Sequence, residues 1–122
     1  MKCKRKHHDL LVWQEAIALV QDIYTLTSRF PSEEMYALTS QMRRAAISIP
    51  SNIAEGAART SKKEFMQFLS ISRGSLSELE TQVLLAHKIG YLPDNKAISE
   101  KIETIFSLLG GLMKSIKGKM SK

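Results

Sequence analysis

Four long stretches of the chain repeat apolar residues every three or four positions, and only short breaks separate them. The stretches cover residues 10–30, 31–58, 61–90 and 93–117. This spacing places apolar side chains along one face of an α-helix, and no stretch shows the strict alternation of a half-buried strand. Long helices with short connections favour antiparallel neighbours. We therefore predict an all-α protein with the antiparallel up-down architecture of a four-helix bundle.

Each of the last three helices carries one main apolar stripe that we expect to form the core. In the second helix the stripe is Met35, Leu38, Met42, Ala45, Ile49 and Ile53. In the third it is Phe65, Phe68, Leu69, Leu76, Leu79, Val83 and Ala86. In the fourth it is Ile98, Ile102, Ile105, Leu109, Leu112 and Ile116, flanked by Phe106 and Met113.

The first helix differs because it carries two interleaved apolar stripes. One consists of Leu10, Trp13, Ile17, Val20 and Tyr24, and the other of Val12, Ala16, Leu19, Ile23, Leu26 and Phe30. Together they form a face wider than the core of one bundle requires. A lone bundle would leave one stripe in water, so we expect a homo-oligomer in which the wide apolar faces of the first and fourth helices mediate assembly.

Helix ends and one irregularity can also be read from the sequence. Proline and two acids at Pro31-Ser32-Glu33-Glu34 suit a helix start, and Ser61-Lys62-Lys63-Glu64 has the pattern of a capping box. Gly90 suits a helix end. Pro50 removes one backbone hydrogen bond from the carbonyl of Ala46, and we expect it to kink the second helix.

Positive charge is concentrated at the two ends of the chain. The chain has 122 residues, 43% of them apolar, which suits one domain, and its net charge is +6. Residues 1–8 and residues 111–122 carry four lysines or arginines each and no acid, whereas residues 9–110 have a net charge of −2. We divide the chain into a basic tail at 1–8, a bundle at 9–117 and a basic tail at 118–122. The expected nucleic-acid contacts are Lys2, Lys4, Arg5, Lys6, Lys114, Lys117, Lys119 and Lys122; alternatively, these residues only keep the protein soluble.

The compartment is predicted from the polar residues near the start and from cysteine usage. Gln14, Glu15, Gln21 and Asp22 interrupt the apolar residues of the first helix, which excludes a signal-peptide core and a membrane span there. Cys3 is the only cysteine, so no disulfide can form within the chain. We expect a cytoplasmic protein that does not associate with membranes.

No pattern in the sequence indicates catalysis, a metal site or a cofactor. His87 has no acidic or cysteine partner at metal-ligand spacing, and His7 and His8 are adjacent near the chain start. Glu78 and Glu80 are two residues apart, so on a helix they point in different directions. We expect a protein that is not an enzyme.

A polar stripe borders the core stripe of the second helix. It consists of Gln41, Arg44, Ser48, Asn52, Glu55 and Arg59, which occupy an arc of roughly 80°. One interpretation is a solvated face, with Glu55 and Arg59 as an i,i+4 pair. The other is a structural or interface network, in which Asn52 is largely buried and bonded to the third helix or to a neighbouring subunit.

Polar and apolar positions together resemble a known family. The longest run is Pro31-x-x-Glu34-x-Tyr36-x-Leu38-x-x-Gln41-x-Arg43-Arg44-Ala45-Ala46-x-Ser48-Ile49-Pro50-Ser51-Asn52-Ile53-Ala54-Glu55-Gly56. Further matches are Leu11-x-Trp13-x-x-Ala16 with Tyr24, Gly74-Ser75-Leu76-x-Glu78-Leu79-Glu80-Thr81-Gln82, and Gly90-Tyr91-Leu92. Over residues 9–115 the chain resembles the four-helix bundle proteins encoded in intervening sequences of 23S rRNA genes.

The resemblance implies a cytosolic homopentamer around a central channel. A related branch, the accessory protein of diversity-generating retroelements, implies RNA or DNA and a reverse transcriptase as partners. That branch is basic on the assembled barrel, whereas residues 9–110 here are net acidic, which favours the tails as the nucleic-acid contacts. The leading hypothesis is an oligomeric, nucleic-acid-associated accessory protein. The alternatives are a structural or protein-interaction scaffold without nucleic-acid binding, and a small-ligand binder.

Overall fold

The computed structural model describes residues 5–120, which contain four α-helices, two short 3₁₀ helices and no strand. The helices are α1 (Leu11–Thr27), α2 (Leu38–Ala57), α3 (Lys62–Lys88) and α4 (Lys96–Met120). The 3₁₀ helices are Lys6–Asp9 and Ser32–Glu34. Helix α2 packs against α1 and α3, and α4 packs against the same two helices. The predicted all-α four-helix bundle is confirmed.

The core consists of the predicted stripes, except that Leu38, Phe65, Phe68 and Leu112 are half-buried and Met113, predicted beside its stripe, is buried. All residues of the predicted apolar face of α4 are thus buried or half-buried within the single chain. Ile49 and Ile53 of α2, and Leu76 and Leu79 of α3, are completely buried. In α1 the stripe that contains Leu19 forms the core, and the buried members of the other helices are Met42, Ala45, Leu69, Val83, Ala86, Ile98, Ile102, Ile105, Leu109, Met113 and Ile116.

The start of the second helix was predicted too early. Residues Ser32–Glu34 form a 3₁₀ helix, and α2 begins only at Leu38 because Ala37 has a non-helical backbone (φ −124°, ψ −108°). A carboxylate oxygen of Glu34 accepts a hydrogen bond from the amide of Leu38 at 3.4 Å. Met35, predicted in the core, is 43% exposed because it lies in this irregular connection.

The ends of α3 have the predicted chemistry. Ser61 precedes the helix, and its hydroxyl accepts a hydrogen bond from the amide of Glu64 at 3.1 Å. At the other end Gly90 has φ +91°, which only glycine adopts readily. The amides of Gly90 and Tyr91 donate to the carbonyls of His87 and Ala86, the two bonds of a Schellman motif.

The connection after α3 is tied to the connection before α2. The hydroxyl of Tyr91 donates to a carboxylate oxygen of Glu34 at 2.8 Å, and its ring lies 5.5 Å from that of Phe30. The hydrogen bond to Glu34 raises the pKa of Tyr91, and burial and the charges of Glu34 and Glu33 act in the same direction. These contacts hold two connections together at one end of the bundle.

Helices α2 and α3 approach each other closely at Gly56. A Cβ added there would lie 2.8 Å from the Cβ of Phe68 and 2.9 Å from Cδ1 of Phe65. The hydroxyl of Ser72, on α3, donates to the carbonyl of Ile49 at 2.9 Å. Residues later in α2 thus meet residues earlier in α3, the order expected of antiparallel neighbours. Helix α2 continues through Pro50 without a break, and the kink stays a prediction.

Gly56→Ala should destabilise the protein although alanine is the better helix former. The new methyl group meets the Cβ of Phe68, which cannot rotate away, so α3 must shift at a cost of about 1–3 kcal/mol. Urea unfolding followed by circular dichroism measures the change.

The matched control is Gly74→Ala in α3, where an added Cβ meets nothing within 4 Å. It should stabilise the protein by about 0.5–1 kcal/mol, because alanine restricts the unfolded chain. Equal effects of the two substitutions would contradict the close approach at Gly56.

Candidate nucleic-acid and assembly surfaces

Two of the four basic residues predicted as contacts at the start of the chain lie in the described part of the structure. Lys2 and Lys4 lie outside the described residues, whereas Arg5 and Lys6 are described and exposed. Lys6 begins the 3₁₀ helix Lys6–Asp9, which contacts both α1 and α2. Residues 6–8, assigned to a tail from charge alone, therefore belong to a folded turn.

Three aromatic rings hold this turn against the first helix. The rings of His7 and His8 lie 4.9 and 5.5 Å from that of Trp13, and 4.5 Å from each other. The side-chain amide of Gln14 donates to the carbonyl of His8 at 2.8 Å. The pKa of His7 is below its ordinary value because burial disfavours the imidazolium, and the charges of His8 and Arg5 act in the same direction. The charge of Arg5 therefore acts on the imidazole of His7 within this turn.

The basic contacts at the end of the chain lie on the last turns of a helix. Lys114, Lys117 and Lys119 are exposed on α4, which continues to Met120, and Lys122 lies outside the described residues. Ile116, among these lysines, is buried in the core. The region that carries the C-terminal positive charge is therefore part of the bundle up to its last described turn.

Both basic regions lie at the same end of the bundle. The ammonium group of Lys101 pairs with the carboxylate of Asp22, and Glu15 of α1 shares a surface depression with Thr104 of α4. Later residues of α4 thus lie beside earlier residues of α1. The end of α4 consequently lies near the start of α1, where the turn Lys6–Asp9 packs.

Four of the six residues of the predicted polar stripe form two separate clusters, so the stripe is not one network within the single chain. In the first, the side-chain amide of Asn52 donates to the carbonyl and the hydroxyl of Ser48, at 2.8 and 2.9 Å. The hydroxyl of Ser48 lies 2.8 Å from that of Ser75 on α3. Asn52 is half-buried and bonded within its own helix, so Ser48 makes the contact with α3 that was expected of Asn52.

The second cluster surrounds Arg59 at the end of α2. Its guanidinium pairs with Glu55 at 2.9 Å and with Glu64 of α3 at 3.8 Å. The same group lies 4.8 Å from the centre of the Phe68 ring. Exposed pairs of this kind contribute little stability, but together they fix the position of the guanidinium. The remaining stripe residues, Gln41 and Arg44, are exposed.

Sequence reasoning missed Ser72 and Gln82, the two buried polar side chains of α3. Gln82 is 6% exposed, and its side-chain oxygen has no hydrogen-bond partner among the described residues. Ser72 lies three residues after Leu69 and four before Leu76, so its place on the buried stripe was visible in the spacing. Their burial shows that polar side chains lie on the buried face of α3 as well as on its exposed face.

Apolar side chains remain exposed on two sides of the bundle. On α1 the second stripe is only partly covered, with Ile17 38% and Tyr24 41% exposed. The guanidinium of Arg43, on α2, lies 4.5 Å from the centre of the Tyr24 ring and donates to Thr27 at 2.9 Å. On α3, Ile71, Leu85 and Ile89 are about half exposed. Because α1 and α3 contact different sides of α2, these are two distinct apolar surfaces.

Within residues 5–120, no three His, Cys, Asp or Glu side chains lie close enough together to hold a metal ion. None of the helices described has a stretch both long and apolar enough to cross a bilayer.

Asn52→Leu should lower stability by about 1 kcal/mol, because it removes two donated hydrogen bonds at a half-buried site. Ser48→Ala should cost a similar amount, and the double variant should cost less than the sum because both changes break one cluster. Chemical unfolding of the three variants provides the free energies.

Gln41→Leu is the matched control, because Gln41 is an exposed residue of the same stripe. Its effect should stay within about 0.5 kcal/mol. Strict additivity of the Asn52 and Ser48 substitutions would contradict the cluster.

A comparison with protein-family models matches residues 8–111 to the 23S rRNA-intervening sequence protein family. No curated protein matches the chain. The matched range includes α1, α2 and α3 in full, the polar stripe of α2, and α4 as far as residue 111. The resemblance noted in the sequence is confirmed: the chain belongs to the 23S rRNA-intervening sequence protein family.

Proposed function

We propose that this protein is a non-catalytic accessory factor that assembles with itself and binds nucleic acid through its basic residues. The observation that carries the proposal is the placement of both basic regions at one end of the bundle. The two basic regions are far apart in sequence, and their position at the same end of the bundle supports a common contact with one nucleic-acid strand. Membership of an rRNA-intervening sequence family agrees with RNA as the partner.

The two apolar surfaces support assembly into a ring. A symmetric dimer uses the same surface on both copies, whereas a ring uses two different surfaces that fit each other. The surface on α1 around Ile17 and Tyr24 and the one on α3 around Leu85 and Ile89 are different. Contact of one with the other would build a ring, and the family resemblance favours five copies.

Static light scattering of the purified chain should give the mass of a closed oligomer, with five copies expected. Ile17→Glu and Leu85→Glu should each lower this mass, because a charge in an apolar interface is costly to desolvate. Both residues are exposed in the single chain, so helicity by circular dichroism should not change. A monomer mass for the unmodified chain would contradict self-assembly.

Binding should be electrostatic and tolerant of sequence. The expected contacts are the eight predicted lysines and arginines, five of which lie within the described residues: Arg5, Lys6, Lys114, Lys117 and Lys119. Phosphate neutralisation releases bound counterions, so affinity falls as salt rises. Several copies in one ring would add avidity to weak single contacts.

Fluorescence anisotropy with a labelled mixed-sequence single-stranded RNA tests this binding. The log of affinity should fall with the log of salt by about 0.7 for each neutralised phosphate. Substitution of all eight basic residues by glutamine should abolish binding and leave assembly intact. Substitution is preferable to deletion because Ile116 belongs to the core and residues 6–9 pack on the bundle.

A scaffold without nucleic-acid binding is the second candidate, and the two apolar surfaces favour it. In that case the protein would assemble but would not bind RNA at any salt concentration. The light-scattering and anisotropy experiments therefore separate the two functions.

A further inference from the structure

The N-terminal turn and the connection between α2 and α3 together form a cleft. Lys6 and Leu10 line it on one side, and Arg59, Thr60, Ser61 and Lys62 line it on the other. Ala57 and Phe65 complete the lining. A second depression adjoins the first, shares Lys6 and Ala57 with it, and adds Arg5 and His7. The lining of the two depressions includes four lysines and arginines and no acidic residue.

The cations in this cleft come from segments more than fifty residues apart in sequence. Lys6 and Lys62 are exposed, and neither side chain forms an ion pair within residues 5–120. Arg59 is partly neutralised by Glu55 and Glu64, which hold its guanidinium in place. Positive charge without a local partner attracts anions, most strongly in a concave site.

The chemistry of the cleft suits a nucleic-acid strand better than a free phosphate ion. Beside the cations lie apolar side chains, among them Leu10 and the half-buried ring of Phe65. A base can stack on an aromatic ring while its phosphate contacts a neighbouring cation, the combination found in proteins that bind single strands. The rings of His7, His8 and Trp13 are further aromatic side chains beside the second depression.

The surroundings of the cleft also suit a polymer. The basic last turns of α4, with Lys114 and Lys119, lie at the same end of the bundle. A strand that leaves the cleft can therefore meet further cations. A membrane surface is less suitable, because Ala57 is buried and Leu10 and Phe65 are half-buried within the cleft and do not project from it.

We infer that this cleft, with Lys6 and Lys62 on its two sides, is a specific contact site for the backbone of single-stranded RNA or DNA. The inference rests on the proposed nucleic-acid binding and locates part of it in the folded body. It also assigns a role to Lys62 and Arg59, which the charge pattern at the chain ends does not single out.

The decisive variant is the double substitution Lys6→Gln and Lys62→Gln, measured by anisotropy with the same single-stranded RNA. Loss of two phosphate contacts should lower the salt slope by about 1.4 and weaken binding about 25-fold at about 0.1 M salt. The matched control is Lys88→Gln with Lys96→Gln, two exposed lysines at the other end of the bundle. It removes the same charge and should change affinity less than about twofold.

A second readout reports where the RNA lies. Trp13 is the only tryptophan, and its ring contacts that of His7, which lines the second depression. RNA should change the emission of Trp13 in the unmodified protein and in the control variant. At RNA concentrations that saturate the unmodified protein, the change should be largely lost in the cleft variant.

Several results would overturn the inference. Equal losses in the cleft and control variants would show that binding follows net charge, and the proposed function would stand. Unchanged affinity in the cleft variant, with loss after substitution of all eight basic residues, would place binding in the tails. Cleft-dependent binding to phosphatidylserine vesicles without RNA binding would assign the cleft to a membrane. No RNA binding by the unmodified protein at low salt would refute the proposed function as well as the cleft.

Discussion

The close packing of α2 on α3 is the contact on which the arrangement of the surfaces depends. It requires the absence of a side chain at Gly56, where a Cβ would collide with Phe68. Pro50 leaves the carbonyl of Ala46 without its usual donor, and the hydroxyl of Ser72 binds the nearby carbonyl of Ile49. The interface between α2 and α3 thus contains polar groups, which a purely apolar interface would exclude. The short connection after α2 is consequently held in a defined place, and with it Arg59 and Lys62.

This packing explains why a chain with a net acidic middle part presents a basic surface. The turn Lys6–Asp9 contacts the end of α2, so the first cations of the chain lie beside those of the α2–α3 connection. At the other end, the acids Glu33, Glu34 and Asp94 balance the cations Arg29, Lys88 and Lys96. The net charge of a range of sequence therefore does not show how charge is distributed along the bundle. It is this distribution that determines where a polyanion is attracted.

The helices and most of the core could be predicted from the sequence because buried residues of a helix recur every three or four positions, as Leu76, Leu79 and Val83 do. The prediction failed for Met35, since the apolar period continued through a connection that is not helical. In the network interpretation, Asn52 was expected to bond to α3 or to a neighbouring subunit; within the chain, the contact with α3 is made by Ser48, whose shorter side chain lies one turn earlier. Gly56 and the basic cleft could not be predicted, because each depends on distances between segments that periodicity does not specify.

If the apolar surfaces build a ring, nucleic-acid binding depends on assembly. Cyclic symmetry turns every copy in the same sense, so the basic ends of all bundles whose axes lie near the ring axis occupy the same face. Each proposed cleft alone would offer a few phosphate contacts and hence weak binding. On a common face, a strand released from one cleft would stay close to the next, and its high effective concentration would raise the affinity above that of a single copy. Loss of the ring would then weaken RNA binding even though Ile17 and Leu85 touch no nucleic acid. The two apolar surfaces would therefore be as necessary for binding as the lysines.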